Sequence, residues 1–127
     1  MRITSWNLLH GQSLNPAEEA SYSQVAASLA TDLLALQEID MNLERSGRTN
    51  QLAEVAEQMG AAHWGFAPTV HGTPGFEWKK VAPENLRVIT TVEGEVESHY
   101  GVGIVSAIPV TKWLRHELGK AWIGMPL

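Results

Sequence analysis

Residues 32–40 read DLLALQEID. From Leu33 to Leu36 every side chain is apolar, and the run then stops on Gln37 and Glu38. A continuous apolar run of this kind suits a strand buried on both faces. Upstream, MRITSWN (1–7) alternates: Met1, Ile3, Ser5 and Asn7 share one face, and Arg2, Thr4 and Trp6 the other. That alternation predicts a short strand. Between the two, HGQSLNP (10–16) reads as a loop that ends on a helix start, with Asn15 as N-cap and Pro16 at the first helical position. Glu18 and Glu19 fall in the first turn, where the helix dipole favours negative charge. Tyr22, Val25, Ala26 and Leu29 share a helical face, and the helix should fade near Ala30. Strand, helix and strand in this order predict a βαβ-like unit in a layered α/β protein.

Downstream, MNLERSGR (41–48) is a polar loop. Thr49 is placed to cap a second helix, with Leu52, Val55, Ala56 and Met59 inside and Gly60 ending it in a left-handed conformation. AHWGFAPTV (62–70) reads as a strand whose end Pro68 puts near an edge or a turn. Residues 71–98 are rich in Gly, Pro and Glu, and RVITTVEGEVE within them suggests a hairpin around Glu93-Gly94. YGVGIVSAIPV (100–110) is a strand whose glycines admit a close neighbour. TKWLRHEL (111–118) is expected to add one more strand.

The chain has 127 residues, enough for one domain. Apolar residues make up 44% and charged residues 18%, as in globular proteins rather than disordered tails. No apolar run is long enough for a transmembrane segment, and the start lacks the apolar core of a signal peptide. With no Cys there is neither a disulfide nor a thiolate metal site, and a cytoplasmic location is the default expectation. A net charge of −5 argues against a sequence-independent grip on nucleic acid, which needs Lys and Arg to neutralise phosphates. It leaves phosphate substrates open, because a bound divalent cation supplies positive charge locally.

Asn7 and Glu38 both close strands that the βαβ reading makes neighbours, and ligands of open α/β sheets gather beyond such strand ends. A carboxylate and an amide oxygen, completed by water, suit a hard cation such as Mg²⁺. Spacing alone favours a plainer reading, in which Asn7 caps a turn and Glu38 is a solvated strand end.

ITSWNLLHG, LLALQEID and YGVGIVSAIPV, in that order, resemble the endonuclease/exonuclease/phosphatase superfamily. That group includes pancreatic-type deoxyribonuclease, exonuclease III, apurinic-site endonucleases, neutral sphingomyelinases and inositol polyphosphate phosphatases. Its motifs are a strand ending in a Trp-Asn-like pair, a hydrophobic strand ending in Gln-Glu, and a Gly-x-small-aliphatic-aliphatic-Ser strand leading to Pro. QEIDMNLERSGRTNQLAEVAEQMGA is most similar to bacterial members. The resemblance implies an α/β (α+β) fold: a four-layer sandwich of two sheets flanked by helices, about twice this length. Residues 1–127 would then be the N-terminal part of that domain, a truncated half-sandwich. The apolar ending WIGMPL carries the same expectation.

The resemblance also implies a metal-dependent phosphoester hydrolase, a nuclease, phosphodiesterase or phosphatase, with Mg²⁺ or Mn²⁺ as cofactor. Glu38 would be the direct metal ligand, with Asn7 beside it touching metal-bound water or phosphate. Tyr100, in a His-Tyr-Gly-Val context similar to that of exonuclease-III-like members, would contact the phosphate. A strand-end tyrosine with its hydroxyl in water fits the same position. Arg45, Arg48 and His10 are candidate substrate contacts, and Asp40 an acceptor behind them. His63, His71 and His116 read as ordinary.

The sequence also departs from the pattern. No Gly-Asp-x-Asn and no Ser-Asp-His-like segment occurs, so the expected general base is absent and the chain alone is expected to be inactive. Val102 matches the exonuclease-III-like version of the third motif. Ala107 replaces a common basic residue. The substrate stays open among nucleic acid, nucleotide, phosphoinositide and lipid head group, with the acidic balance disfavouring a dedicated DNA-backbone binder. The alternative is a truncated or degenerate binding module, which would self-associate through an exposed sheet face.

Overall fold

The computed structural model describes residues 1–15 and 21–118. Five strands form one mixed sheet: β1 (Ile3–Asn7), β2 (Leu33–Met41), β3 (His63–Gly72), β4 (Trp78–Lys80) and β5 (His99–Ser106), in the order β1-β2-β5-β3-β4. β1 runs parallel to β2, with Asn7 opposite Gln37, and the remaining pairs are antiparallel. Between β1 and β2 lies helix α1 (Tyr22–Ser28), which completes the expected βαβ-like unit. Its N-cap is Ser21, so Asn15, which lies in a bend, does not cap it; Pro16, Glu18 and Glu19 fall outside the described residues.

Helix α2 (Gln51–Met59) covers the same face of the sheet as α1. Leu52, Val55 and Ala56 from α2 pack with Ala26, Leu34, Leu36, Ile39, Met41, Phe66 and Val105 into one buried cluster. Asn50, not Thr49, caps α2, accepting a hydrogen bond from Ala53 N at 3.0 Å. Position decides this: the acceptor must precede the first helical residue, and that residue is Gln51. Gly60 ends the helix with φ +63°, as its placement predicted. In β5 the glycines do what the sequence suggested. A Cβ on Gly103 would lie 2.6 Å from Leu52 Cδ2, so the helix can sit this close only because the strand has no side chain there.

The helices leave the other sheet face largely open. Ile3, Val102 and Ile104 are 63%, 42% and 41% exposed on it. β2 is therefore covered fully on one face only: Leu34 and Leu36 are buried, whereas Leu33 and Ala35 are half-buried. Residues 111–118 form no strand; Trp113 instead lays its ring across Gly65, and Arg115 Nη1 donates to Pro68 O at 2.7 Å. Pro68 does not end β3. The strand continues to Gly72, and the register shift between Pro68 and Val70 accommodates the imide without breaking the pairing to β5.

The hairpin expected at Glu93-Gly94 does not form. Ile89 instead exchanges two 2.8 Å backbone hydrogen bonds with Phe66 at the edge of β3, and Arg87 pairs bidentately with Glu95. Those contacts use the segment as edge cover, which satisfies backbone groups a free β3 edge would expose.

Candidate active site

β2 carries a bulge that decides the site. Leu36 pairs with Gly103 and Ile39 with Gly101, so Gln37 and Glu38 together oppose a single residue of β5. Glu38 takes up the extra residue with φ +55°. The bulge advances the alternation by one, so that Leu34 and Leu36 before it and Ile39 and Met41 after it all face the core. Without it, simple alternation would turn Glu38 towards the helices. β2 also runs past Glu38 to Met41, so this carboxylate lies within the strand rather than at its end.

Asn7, which does end β1, meets Glu38 directly. Its Nδ2 donates to Glu38 Oε1 at 3.0 Å, and its Oδ1 accepts from Leu9 N at 2.9 Å. The backbone N–H of Leu9 can only donate, so the amide carbonyl must face it and the NH₂ must face Glu38. Asn7 therefore presents a donor to the site. The short 3-10 turn that follows, Leu9–Gly11, passes through left-handed backbone at Leu9 (φ +48°) and His10 (φ +43°). Three of the non-glycine residues with such backbone, Leu9, His10 and Glu38, thus cluster around Asn7. Strain of this sort is held only where surrounding contacts enforce it, and it concentrates at functional sites.

Gln51 supplies the enforcing contact. It is buried at the first position of α2, where its Oε1 accepts from Asp40 N at 2.8 Å and its Nε2 donates to His10 O at 2.8 Å. One side chain thereby ties the turn after Asn7 to the strand after Glu38. Nothing in the residue pattern marks this role, because a Gln at a helix start is ordinary without the loop that lies over it.

Tyr100 faces the same place from β5, where it pairs with Asp40 across the sheet. Burial, and then the negative charge of Glu38, push its hydroxyl above the ordinary tyrosine pKa, so it remains a donor at neutral pH. Asp40 is fully buried and receives Arg45 as a fork, with Nε and Nη2 both at 2.8 Å, together with the Ser46 hydroxyl. The fork to Asp40 raises the Arg45 pKa, and Tyr100 and Glu38 add to it. The Arg45 guanidinium lies 5.7 Å from the centre of the Tyr100 ring. Asn7, Glu38, Tyr100, Arg45 and Asp40 thus form one constellation.

The other two candidates stand apart from these contacts. Arg48 pairs loosely with Glu44 at 3.9 Å and lines a different cleft with Thr73 and Phe76. His10 stands on the strained turn beside Asn7 and is held there through its carbonyl. A separate group of potential metal ligands, His71, Glu97 and His99, lies where β3 and β5 begin and end together.

The Glu38 carboxylate is half-exposed and is the kind of oxygen a hard divalent cation takes, while the Asn7 amide and the Tyr100 phenol stand beside it as hydrogen-bond donors. Among the described residues the other carboxylate of this constellation, Asp40, is taken up by Arg45 and Ser46, so an ion on Glu38 would draw most of its coordination shell from water or substrate, an arrangement that Mg²⁺ tolerates. No helix among the described residues is long and apolar enough to cross a membrane.

Compared with known proteins, residues 4–126 match the model of one family, described as Endonuclease/Exonuclease/phosphatase family. No curated protein and no solved structure matches the chain.

Proposed function

Because the chain belongs to the endonuclease/exonuclease/phosphatase family, we propose that it supplies the metal-binding part of a divalent-metal-dependent phosphoester hydrolase. The observation that carries this reading is the 3.0 Å contact between Asn7 and Glu38, two residues that only the β1–β2 pairing and the β2 bulge bring together.

Glu38 is assigned as the direct ligand of Mg²⁺ or Mn²⁺. The ion would polarise a phosphoryl oxygen and offset the charge that builds on it. The Asn7 NH₂ orients the Glu38 carboxylate and is free to turn part of its donor capacity to a phosphate oxygen. Tyr100 keeps its proton and donates to the same phosphate. Arg45, locked by Asp40 beside the Tyr100 ring, adds fixed positive charge at the substrate side, and His10 an outer contact. Arg48 would have to leave Glu44 to take part. Water attack in line on phosphorus needs a general base. Among the described residues the His–carboxylate pairs both involve Glu97, away from this site, so the base is assigned to residues other than these.

Small phosphoesters, nucleotides and lipid or inositol head groups suit an acidic chain better than extended DNA does. The test is Mg²⁺- or Mn²⁺-dependent hydrolysis of a generic phosphodiester by a form of the protein that includes a His–Asp base. Glu38→Ala should lower the rate by about 10²–10³-fold, the scale for removing one electrostatic group. Unchanged activity would overturn the assignment of Glu38. The 127-residue chain alone should show no turnover.

A further inference from the structure

His71 and His99 are cross-strand partners in the β3–β5 register, so their side chains leave the same face of the sheet side by side. Their ring centres are 4.5 Å apart. Glu97 reaches both: its Oε2 lies 3.6 Å from His71 Nδ1 and 3.7 Å from His99 Nε2. His99 is only 2% exposed, and neither of its ring nitrogens has a hydrogen-bond partner. A buried imidazole with no hydrogen bond at either nitrogen calls for an explanation. Its neighbours are not random either. The Asn42 amide donates to the carbonyls of Glu95 and Glu97 at 3.0 and 3.1 Å, and Ser98 Oγ donates to Asn42 O at 2.9 Å. These bonds hold the segment that carries Glu97 against the end of β2.

We propose that His71, Glu97 and His99 form a second metal site, built for a borderline transition ion such as Zn²⁺ and separate from Glu38. Ligand atoms around a tetrahedral Zn²⁺ stand roughly 3.4 Å apart at ordinary bond lengths, close to both observed separations from Glu97. Two imidazoles and one carboxylate select such an ion over Mg²⁺, which prefers oxygen. The three ligands open onto a cleft of about 610 Å³ lined also by Lys79 and Arg87. A fourth position there has room for water. The site lies on the sheet face that His99 shares with Gly101 and Gly103, whereas Tyr100 points to the opposite face.

The test is a calorimetric titration of Zn²⁺, and a visible-spectrum titration of Co²⁺, into the whole chain carrying Glu38→Gln, which disables the other site. One equivalent should bind, and excess Mg²⁺ should not displace it. Glu97→Gln and His71→Gln should each weaken binding by at least about tenfold, the lower end of what loss of even an outer partner costs. Both residues are more exposed than His99, so circular dichroism is expected to show these variants folded. No binding to the folded Glu38→Gln chain, or affinity in the Glu97→Gln and His71→Gln variants unchanged from that of the Glu38→Gln chain, would overturn the site.

Discussion

Asn7 is exposed, yet both ends of its amide are committed, one to Leu9 and the other to Glu38. Both residues stand out in the sequence, Asn7 as the polar end of an alternating strand and Glu38 as a polar interruption of an apolar run whose strand in fact continues to Met41. Sequence reading placed Asp40 only as an acceptor near the site, and that role is larger than its position suggested. Asp40 is fully buried, and its charge is matched by the Arg45 fork. Removing one partner of a buried pair leaves the other uncompensated, which costs about 3–5 kcal/mol. Arg45 is 26% exposed, so Arg45→Ala should fall near the low end, about 3 kcal/mol, in urea unfolding. Arg45→Lys should recover part of this, since it restores charge without the fork. A loss below about 0.5 kcal/mol, typical of a surface substitution, would show that the pair does not hold the loop. His99 escaped notice for a different reason. Its partner His71 is 28 positions away in sequence, and only the strand register joins them.

At the level of elements, the strands and helices were legible where periodicity was clear: β1, β2, α2 and β5 all stand where the pattern put them. The bulge in β2 was not, because an unbroken apolar run carries no phase that a shift could disturb. The edge segment was misread for a related reason. RVITTVEGEVE has the alternation of a hairpin, but Ile89 finds a better partner in Phe66, and the Arg87–Glu95 pair closes a loop instead of a turn. That pair makes a pH prediction. The bonds from Arg87 hold the Glu95 carboxyl below its ordinary value of 4.5. A group with a lowered folded pKa stabilises the fold above its unfolded pKa and loses that contribution as pH falls through the folded value. Acid unfolding should therefore include a step beginning just below pH 4.5, and Glu95→Gln should remove it. Because Arg87 is 46% exposed, solvent screening keeps the effect to about 1 kcal/mol or less. An identical acid profile in the variant would refute this contribution.

For the molecule as a whole, among the described residues, one sheet carries both helices on one face and leaves the other largely open apart from the segment around Trp113, and Asn7 and Tyr100 stand near strand ends that project towards the open side. The fold class was readable from the order of elements; which face stays open was not, since it depends on both helices crossing to the same side. The −5 net charge places no general attraction for phosphate on the surface, so in the proposed function local positive charge would come from Arg45 and a bound cation. The proposal stands on Glu38 binding a divalent ion with Asn7 and Tyr100 beside it as hydrogen-bond donors. It is tested most directly by adding Mn²⁺ to isotope-labelled protein and following paramagnetic broadening by NMR. The Asn7 side-chain amide and the backbone amides of Leu9, Glu38, Ile39 and Tyr100 should broaden first, and Glu38→Gln should abolish this. Broadening confined to other residues, or the same broadening in the Glu38→Gln variant, would contradict it.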